Sequence, residues 1–188
     1  LRPYELPLRW LSRLSNEAHT LNLQFGVTPF AVDLVEPLRG LIDFVKISAY
    51  DLPYENLIIE VAKLGVPVVL STAMATYEEI EAASTLLDGC HKVFLHGVAQ
   101  YPARLEDQNL TVFQDWHGEY GLSDHTLGYE AAMLAVTLGA TWIEKHFRVM
   151  DVDASRILPN NWTGPFTSNP DWPVSADPFH FAMLVGAC

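Results

Sequence analysis

Cysteine and positive charge are scarce in this sequence. Two cysteines occur in 188 residues, Cys90 and Cys188, and no Cys-x-x-Cys pair is present. That excludes a disulfide framework and a thioredoxin-type or zinc-ribbon motif, and it points to a reducing, cytoplasmic setting. Lys and Arg number 11 against 23 Asp and Glu, a formal net charge of −12. Nucleic acid and anionic membrane surfaces both select a basic footprint, so neither is an expected partner. No apolar run approaches the roughly 18 residues of a membrane-spanning helix. Leu1 to Trp10 lacks the uninterrupted apolar stretch of a signal peptide, and Pro3 and Pro7 interrupt any helix there. The common glycine-rich nucleotide motifs, G-x-G-x-x-G and G-x-x-x-x-G-K-[ST], do not occur. Neither does the G-x-S-x-G elbow of serine hydrolases.

What is present is a hydrophobic content of 49%, enough for a packed core. Short β-branched runs alternate with longer helical patterns. The strands expected are Asp43–Ser48, Pro67–Ser71, Lys92–His96, Tyr120–Asp124 and Thr141–Lys145, with Asn22–Thr28 an earlier candidate. Several open on continuous apolar residues, as strands buried on both faces of a parallel sheet do. Helices are expected over Pro53–Leu64, stopped by Gly65, and over Thr76–Asp88, which opens on a Thr-x-x-Glu capping box. A further helix is expected over the Ala-rich Gly128–Leu138, and another within Leu1–Leu21, capped at Ser12 or Ser15. The spacing, roughly two dozen residues per strand and helix, marks repeated βα units.

An open doubly wound sheet and a (β/α)8 barrel both fit that alternation. The polar residues favour the barrel, because every strand run ends in chemically useful groups. These are Thr28; Lys46, Ser48 and Asp51; Ser71 and Thr72; His96, Gln100 and Tyr101; Ser123, Asp124 and His125; and Glu144, Lys145 and His146. A barrel gathers all its strand ends at one mouth, whereas an open sheet uses those near a single switch point. A full barrel needs eight βα units and about 250 residues. Six are visible, so the expectation is an incomplete barrel lacking its two N-terminal units. The chain starts on Leu rather than Met and ends inside the apolar run Phe179–Val185, which reads as a helix in progress. Residues 1–150 are expected to form the partial barrel. Residues 151–188 are expected to form a long Pro-, Asn- and Trp-rich loop and the start of a C-terminal helix.

His125 and His146 lie 21 residues apart, one βα repeat, each just past the end of a strand. Two imidazoles from adjacent strand ends, with a carboxylate or water, suit a divalent transition metal. Asp124 and Glu144 could be further ligands or could orient the rings. The competing reading makes each histidine an isolated polar residue. Lys46 lies within the apolar strand Phe44-Val45-Lys46-Ile47, where a lysine requires an anionic partner. A bound phosphate or carboxylate, a Schiff base and a structural ion pair all remain open for it. Lys145 has the same character, with Glu144 as the nearest partner in sequence. Ser71, Thr72 and Ser123 place hydroxyls where anions bind at helix starts, although such residues are also ordinary caps. His91, His96, His117 and His180 read as structural or surface histidines, and Cys90 as inert.

Taken in order, these blocks resemble the N-acetylneuraminate (sialic acid) synthase family. They are Val27-Thr28-Pro29-Phe30, Phe44-Val45-Lys46-Ile47, Leu70-Ser71-Thr72-Ala73-Met74-Ala75-Thr76, Leu95-His96 through Tyr101-Pro102, Ser123-Asp124-His125-Thr126 and Glu144-Lys145-His146-Phe147. The resemblance implies a (β/α)8 barrel followed by a small antifreeze-like domain, acting as a homodimer. It implies condensation of phosphoenolpyruvate with an N-acetylated amino sugar such as N-acetylmannosamine, yielding a nonulosonic acid and phosphate. By position, His125 and His146 correspond to the ligands of a divalent metal, most often Mn2+, with Mg2+ or Co2+ as alternatives. Lys46, Ser71 and Ser123, and more weakly Thr28, correspond to phosphoenolpyruvate contacts. Tyr101 and Asp51 correspond to contacts with the amino sugar. Lys46, His125 and His146 are thus the expected catalytic set. The Gly-Pro-Asp-His string of the family has its nearest counterpart in Thr163-Gly164-Pro165-Phe166, which lacks the acid, with Asp151 or Asp153 as substitutes. Two alternatives stand beside this reading: a lysine-dependent aldolase on the same barrel, and a degenerate barrel that binds sugar without catalysis.

Overall fold

The computed structural model of the chain describes residues 6–148 and 171–188. The expected loop after the last strand, with Asp151, Asp153 and Thr163–Phe166, lies almost wholly outside the described residues. Contacts group the chain into two compact units, one up to Leu95 and one from His96 onward.

The first unit begins with helix α1 (Leu11–Thr20) and continues β1 (Gly26–Val27), β2 (Phe44–Ile47), α2 (Glu55–Ala62), β3 (Val68–Ser71), α3 (Tyr77–Leu86) and β4 (Lys92–Gly97) as far as Leu95, the last two residues of β4 counting with the second unit. Each strand pairs in parallel with the one before it, β1 with β2, β2 with β3 and β3 with β4. The second unit carries β5 (Glu119–Asp124), α4 (Glu130–Thr137), β6 (Trp142–Lys145) and α5 (Pro178–Ala187), with β5 and β6 also parallel. All six expected strands therefore form, and the expected helix over the apolar run after Phe179 is α5.

The physical causes of these elements are local. In β2 the alternation turns Val45 and Ile47 to one face, where both are 0% exposed and pack with Leu57, Ile58 and Val61 of α2. β3 is buried along its whole length, as a covered parallel strand should be. The anticipated capping box of α3 is present. Glu79 N–H donates to Thr76 Oγ1 at 3.3 Å, and Thr76 N–H donates to Glu79 Oε2 at 2.7 Å. A second core gathers Leu110, Phe113, Leu122, Ala131 and Ala135. The small alanines let α4 lie close on β5.

Two expectations are corrected. The strand proposed over Asn22–Thr28 shrinks to two residues. Asn22 takes a left-handed φ of 56°, and the Asp43 carboxylate accepts the Phe25 N–H at 2.7 Å, replacing ladder bonds with a side-chain bond. Neither Ser12 nor Ser15 caps α1. A 3-10 turn over Leu8–Trp10 leads directly into the helix, with Trp10 N–H donating to the Pro7 carbonyl at 2.8 Å, and Ser15 is buried in the helix body. Among the described residues no helix is long and apolar enough to cross a membrane.

His96 is the structural histidine the sequence suggested. Its Nε2–H donates to the Gln108 carbonyl at 2.6 Å, and its ring meets the edges of Phe113 and Trp116 at 5.8 and 6.3 Å. Burial holds its pKa below the ordinary imidazole value. The unfolded chain therefore takes up this proton first as pH falls, so stability declines below about pH 6.5 and levels off below the folded pKa. Urea titrations between pH 7.5 and 5 are expected to show this decline, with a shallower slope in His96→Gln; equal slopes would contradict it. Ile58→Ala is expected to cost about 2–5 kcal/mol by the same method. The neighbouring Ile59 is 39% exposed, and Ile59→Ala is expected to cost less than about 1 kcal/mol.

Candidate active site

Strand register positions the first group of residues. Lys46 on β2 pairs with Val69 on β3. Ser71 stands two residues beyond Val69 and so shares its face. Because Val45 and Ile47 take the core side, Lys46 is turned to the opposite side together with Ser71. Lys46 Nζ donates to Ser71 Oγ at 3.0 Å. Ser71 is only 5% exposed, while Lys46 is half-buried. An ammonium and a hydroxyl held side by side at strand ends can grip a phosphate or carboxylate. Thr72 is committed elsewhere, its hydroxyl donating to the Leu95 carbonyl at 3.1 Å. Asp51 sits in the turn after β2 and accepts from Ser48 Oγ at 2.5 Å. Thr28 is half-buried just past β1.

The second group lies in the other unit. β5 and β6 pair Ser123 with Glu144 and Asp124 with Lys145. One step further along the same register come His125 and His146, whose ring centroids are 5.5 Å apart. The 21-residue spacing is thus one turn of the repeat read at equal height on neighbouring strands. His125 Nδ1 lies 2.9 Å from the Val98 carbonyl oxygen. That oxygen can only accept, so Nδ1 carries the hydrogen and the lone pair resides on Nε2. Burial, with the nearby His146 adding to it, pushes the His125 pKa down and keeps the ring neutral at pH 7. Tyr101 joins the pair from the loop after β4. Its ring stacks on His125 at 4.2 Å and meets His146 at 5.6 Å, and its hydroxyl lies 3.0 Å from His125 Nε2. Gly97 lets β5 come close at this point, since a Cβ there would fall 2.9 Å from the Ser123 carbonyl oxygen.

Three readings of the sequence are corrected here. Lys145 does not pair with its neighbour Glu144. Successive residues face opposite sides of a strand, so Lys145 points with Ile143 and Leu122 toward α4. There its Nζ donates to Asp124 Oδ2 at 3.0 Å and to the Thr126 carbonyl at 2.6 Å. Asp124 Oδ1 accepts from the Thr126 N–H and hydroxyl at 2.8 and 2.7 Å. Asp124 is therefore spent on structure and is neither a metal ligand nor an orienting partner of His125; that partner is the Val98 carbonyl. Ser123 is not an uncommitted hydroxyl either, since its Oγ donates to Glu144 Oε2 at 2.7 Å. The Asp124–Lys145 pair and the Val98 carbonyl were not foreseen. The first follows from strand alternation once the register is known, and the second has no sequence signal, because any residue supplies a carbonyl.

The fit to a divalent metal can be tested on these residues. His125 has the locked tautomer that ligation requires, with the lone pair on Nε2 and the other nitrogen fixed by a hydrogen bond in the way that orients metal-bound imidazoles. Its ring lies beside that of His146. Among the described residues no group of three or more His, Cys, Asp or Glu side chains is placed to hold an ion. The histidine pair therefore fits as part of a ligand set that water or substrate oxygen would complete.

The Asp124–Lys145 side chains are 0% and 3% exposed, so removing one charge strands the other. Lys145→Met is expected to cost about 3–5 kcal/mol in urea unfolding, and Asp124→Asn combined with Lys145→Met is expected to cost less than Lys145→Met alone. A double variant at least as destabilised as the single one would contradict the pairing.

Comparison with known proteins gives the family. The NeuB family model matches residues 1–186. The chain is 35% identical over 152 residues to a pseudaminic acid synthase of Helicobacter pylori, covering 75% of this chain and 44% of that protein. It is 33% identical over 190 residues to an N,N'-diacetyllegionaminic acid synthase of Campylobacter jejuni, covering 96% of this chain and 53% of that protein. The crystal structure of a sialic acid synthetase from Leptospira borgpetersenii in complex with citrate superposes with a TM-score of 0.84 at 30% identity, covering 99% of this chain and 63% of that one. The chain spans about half the length of the curated relatives it matches. Its six parallel strands are part of a (β/α)8 barrel of the sialic acid synthetase type, and the chain belongs to the NeuB family.

Proposed function

We propose that the protein to which this chain belongs condenses phosphoenolpyruvate with an N-acetylated amino sugar, N-acetylmannosamine or a close relative, to give a nonulosonic acid and phosphate. The observation that carries this reading is the His125–His146 pair, two imidazoles at one register position with ring centroids 5.5 Å apart and a neutral, correctly oriented His125. The Lys46–Ser71 contact at 3.0 Å and the synthase relatives support it.

In this reading Lys46 and Ser71 hold the phosphate and carboxylate of phosphoenolpyruvate, a positioning and charge-neutralising role. His125 and His146 would hold the divalent metal, with Mn2+ the first candidate and Mg2+ or Co2+ the alternatives. A metal bound there supplies Lewis-acid polarisation of the open-chain sugar aldehyde. C3 of phosphoenolpyruvate attacks the aldehyde carbon, water adds at C2, and phosphate leaves with cleavage of the C2–O bond. Lys46 stays a charge partner throughout and forms no Schiff base. Tyr101 and Asp51 are assigned to the amino sugar. Ser123 and Thr28 are assigned to phosphoenolpyruvate. The same reading makes the protein a cytoplasmic homodimer.

Full-length protein is expected to release phosphate from phosphoenolpyruvate only with a divalent metal, Mn2+ first among them, and one member of a panel of N-acetylhexosamines. His125→Ala and His146→Ala should each lower kcat about 100-fold or more, and Lys46→Ala should act on phosphoenolpyruvate KM and kcat together. Turnover that survives chelators and leaves a borohydride-trapped adduct on Lys46 would favour the aldolase; no turnover with any sugar would overturn the proposal.

A further inference from the structure

Lys145 turns to the α4 side of β6, and a cavity of about 160 Å³ opens there. Among the described residues it is lined by Gly128 and Tyr129 just before α4, by Lys145 and Arg148 on and just after β6, and by Ser175 and His180. It shares no residue with the histidine pair or with the Lys46–Ser71 contact. Most of its polar groups are already matched. Lys145 spends one N–H on Asp124 Oδ2 and another on the Thr126 carbonyl. Ser175 Oγ donates to the Asp171 carbonyl at 2.6 Å, and His180 Nδ1 donates to Asp177 Oδ2 at 2.8 Å. Arg148 differs. Its guanidinium lies 4.8 Å from the centre of the Trp172 ring, and Nη1 donates to the Trp172 carbonyl at 3.2 Å. Nε is sealed without an acceptor, whereas Nη2 is neither sealed nor bonded to a described residue. A guanidinium cannot lose its proton, and no described carboxylate pairs with this one. The acids of the region are engaged elsewhere, Asp124 by Lys145 and Asp177 by His180.

We infer that this cavity is a second anion site, which takes a small oxyanion, a phosphate or a carboxylate, on the Nη2 edge of Arg148. Such an anion gives the guanidinium the counter-charge and the charge-assisted hydrogen bonds that the protein's own acids do not. Gly128 and Tyr129 bring the positive end of the α4 dipole to the same cavity, partly offset by the Glu130 carboxylate, which accepts the Tyr129 N–H at 3.0 Å. The aromatic face of Trp172 holds the guanidinium in place and leaves its edge for the ligand. This site goes beyond the proposed function and stands whether or not His125 and His146 hold a metal.

Selenate reports the site without any substitution. Crystals of the full-length protein soaked in selenate should show an anomalous peak in the cavity, with an oxygen about 2.7–3.0 Å from Arg148 Nη2. No peak there overturns the site; a peak beside Lys46 and Ser71 alone does so while leaving the proposed function intact. In solution, Lys46→Ala removes the other anion contact. Calorimetric titration of that variant with inorganic phosphate, and separately with malonate, should show binding of at least one, and the tighter of the two gives the ligand class. Adding Arg148→Gln to Lys46→Ala should weaken that binding at least about tenfold. Binding of neither anion, or an affinity unmoved by Arg148→Gln, overturns the site. If Arg148→Gln fails to fold, the selenate peak and the titration of Lys46→Ala decide.

Discussion

Parallel strand register is the constraint on which the rest depends. A parallel ladder fixes which residue on one strand stands beside which on the next, and alternation then decides which face each side chain takes. β5 and β6 show the consequence residue by residue. Ser123 meets Glu144, Asp124 meets Lys145, and His125 and His146 follow at the same height. A one-residue slip of β6 against β5 would leave the two imidazoles on opposite faces and part Asp124 from Lys145. The hydrogen bonds on the two faces therefore guard each other. The Asp124–Lys145–Thr126 network locks the register from the helix side, and the histidine pair depends on it from the other.

Each unit uses the same economy of parts. One face of β2 is apolar and anchors α2, and the opposite face carries Lys46 toward Ser71. One face of β5 anchors α4 and buries an ion pair, and the opposite face carries Ser123 and His125. Chemistry thus falls on the side of each strand that the helix layer does not use. Backbone groups then set the chemical state of the side chains, as the Val98 carbonyl does for the tautomer of His125. Burial does the same for its charge.

Much of this was legible in the sequence because strand and helix signals were strong and local. The β-branched runs gave five strands to within a residue or two, and the Thr76–Glu79 box gave the start of α3. The histidine pair was visible as a one-repeat spacing, and Lys46 and Ser71 as polar residues at strand ends, though not their contact with each other. The failures were of another kind. The start of α1 was missed because a 3-10 turn after Pro7 replaced a side-chain cap. The partner of Lys145 was misjudged because proximity in sequence places adjacent residues on opposite faces, whereas register brings in a residue 21 positions away. The bond from Tyr101 to His125 joins a loop to a strand end, and no periodicity encodes that.

The central claim is that His125 and His146 converge on one cation. Anomalous diffraction from crystals of the full-length protein soaked in Mn2+ tests it most directly. The account predicts a single strong peak about 2 Å from a nitrogen of each ring, with the His125 contact made by Nε2 and Nδ1 still bonded to the Val98 carbonyl. Well-ordered rings with manganese bound elsewhere, or with Nδ1 of His125 turned to the metal, would contradict it.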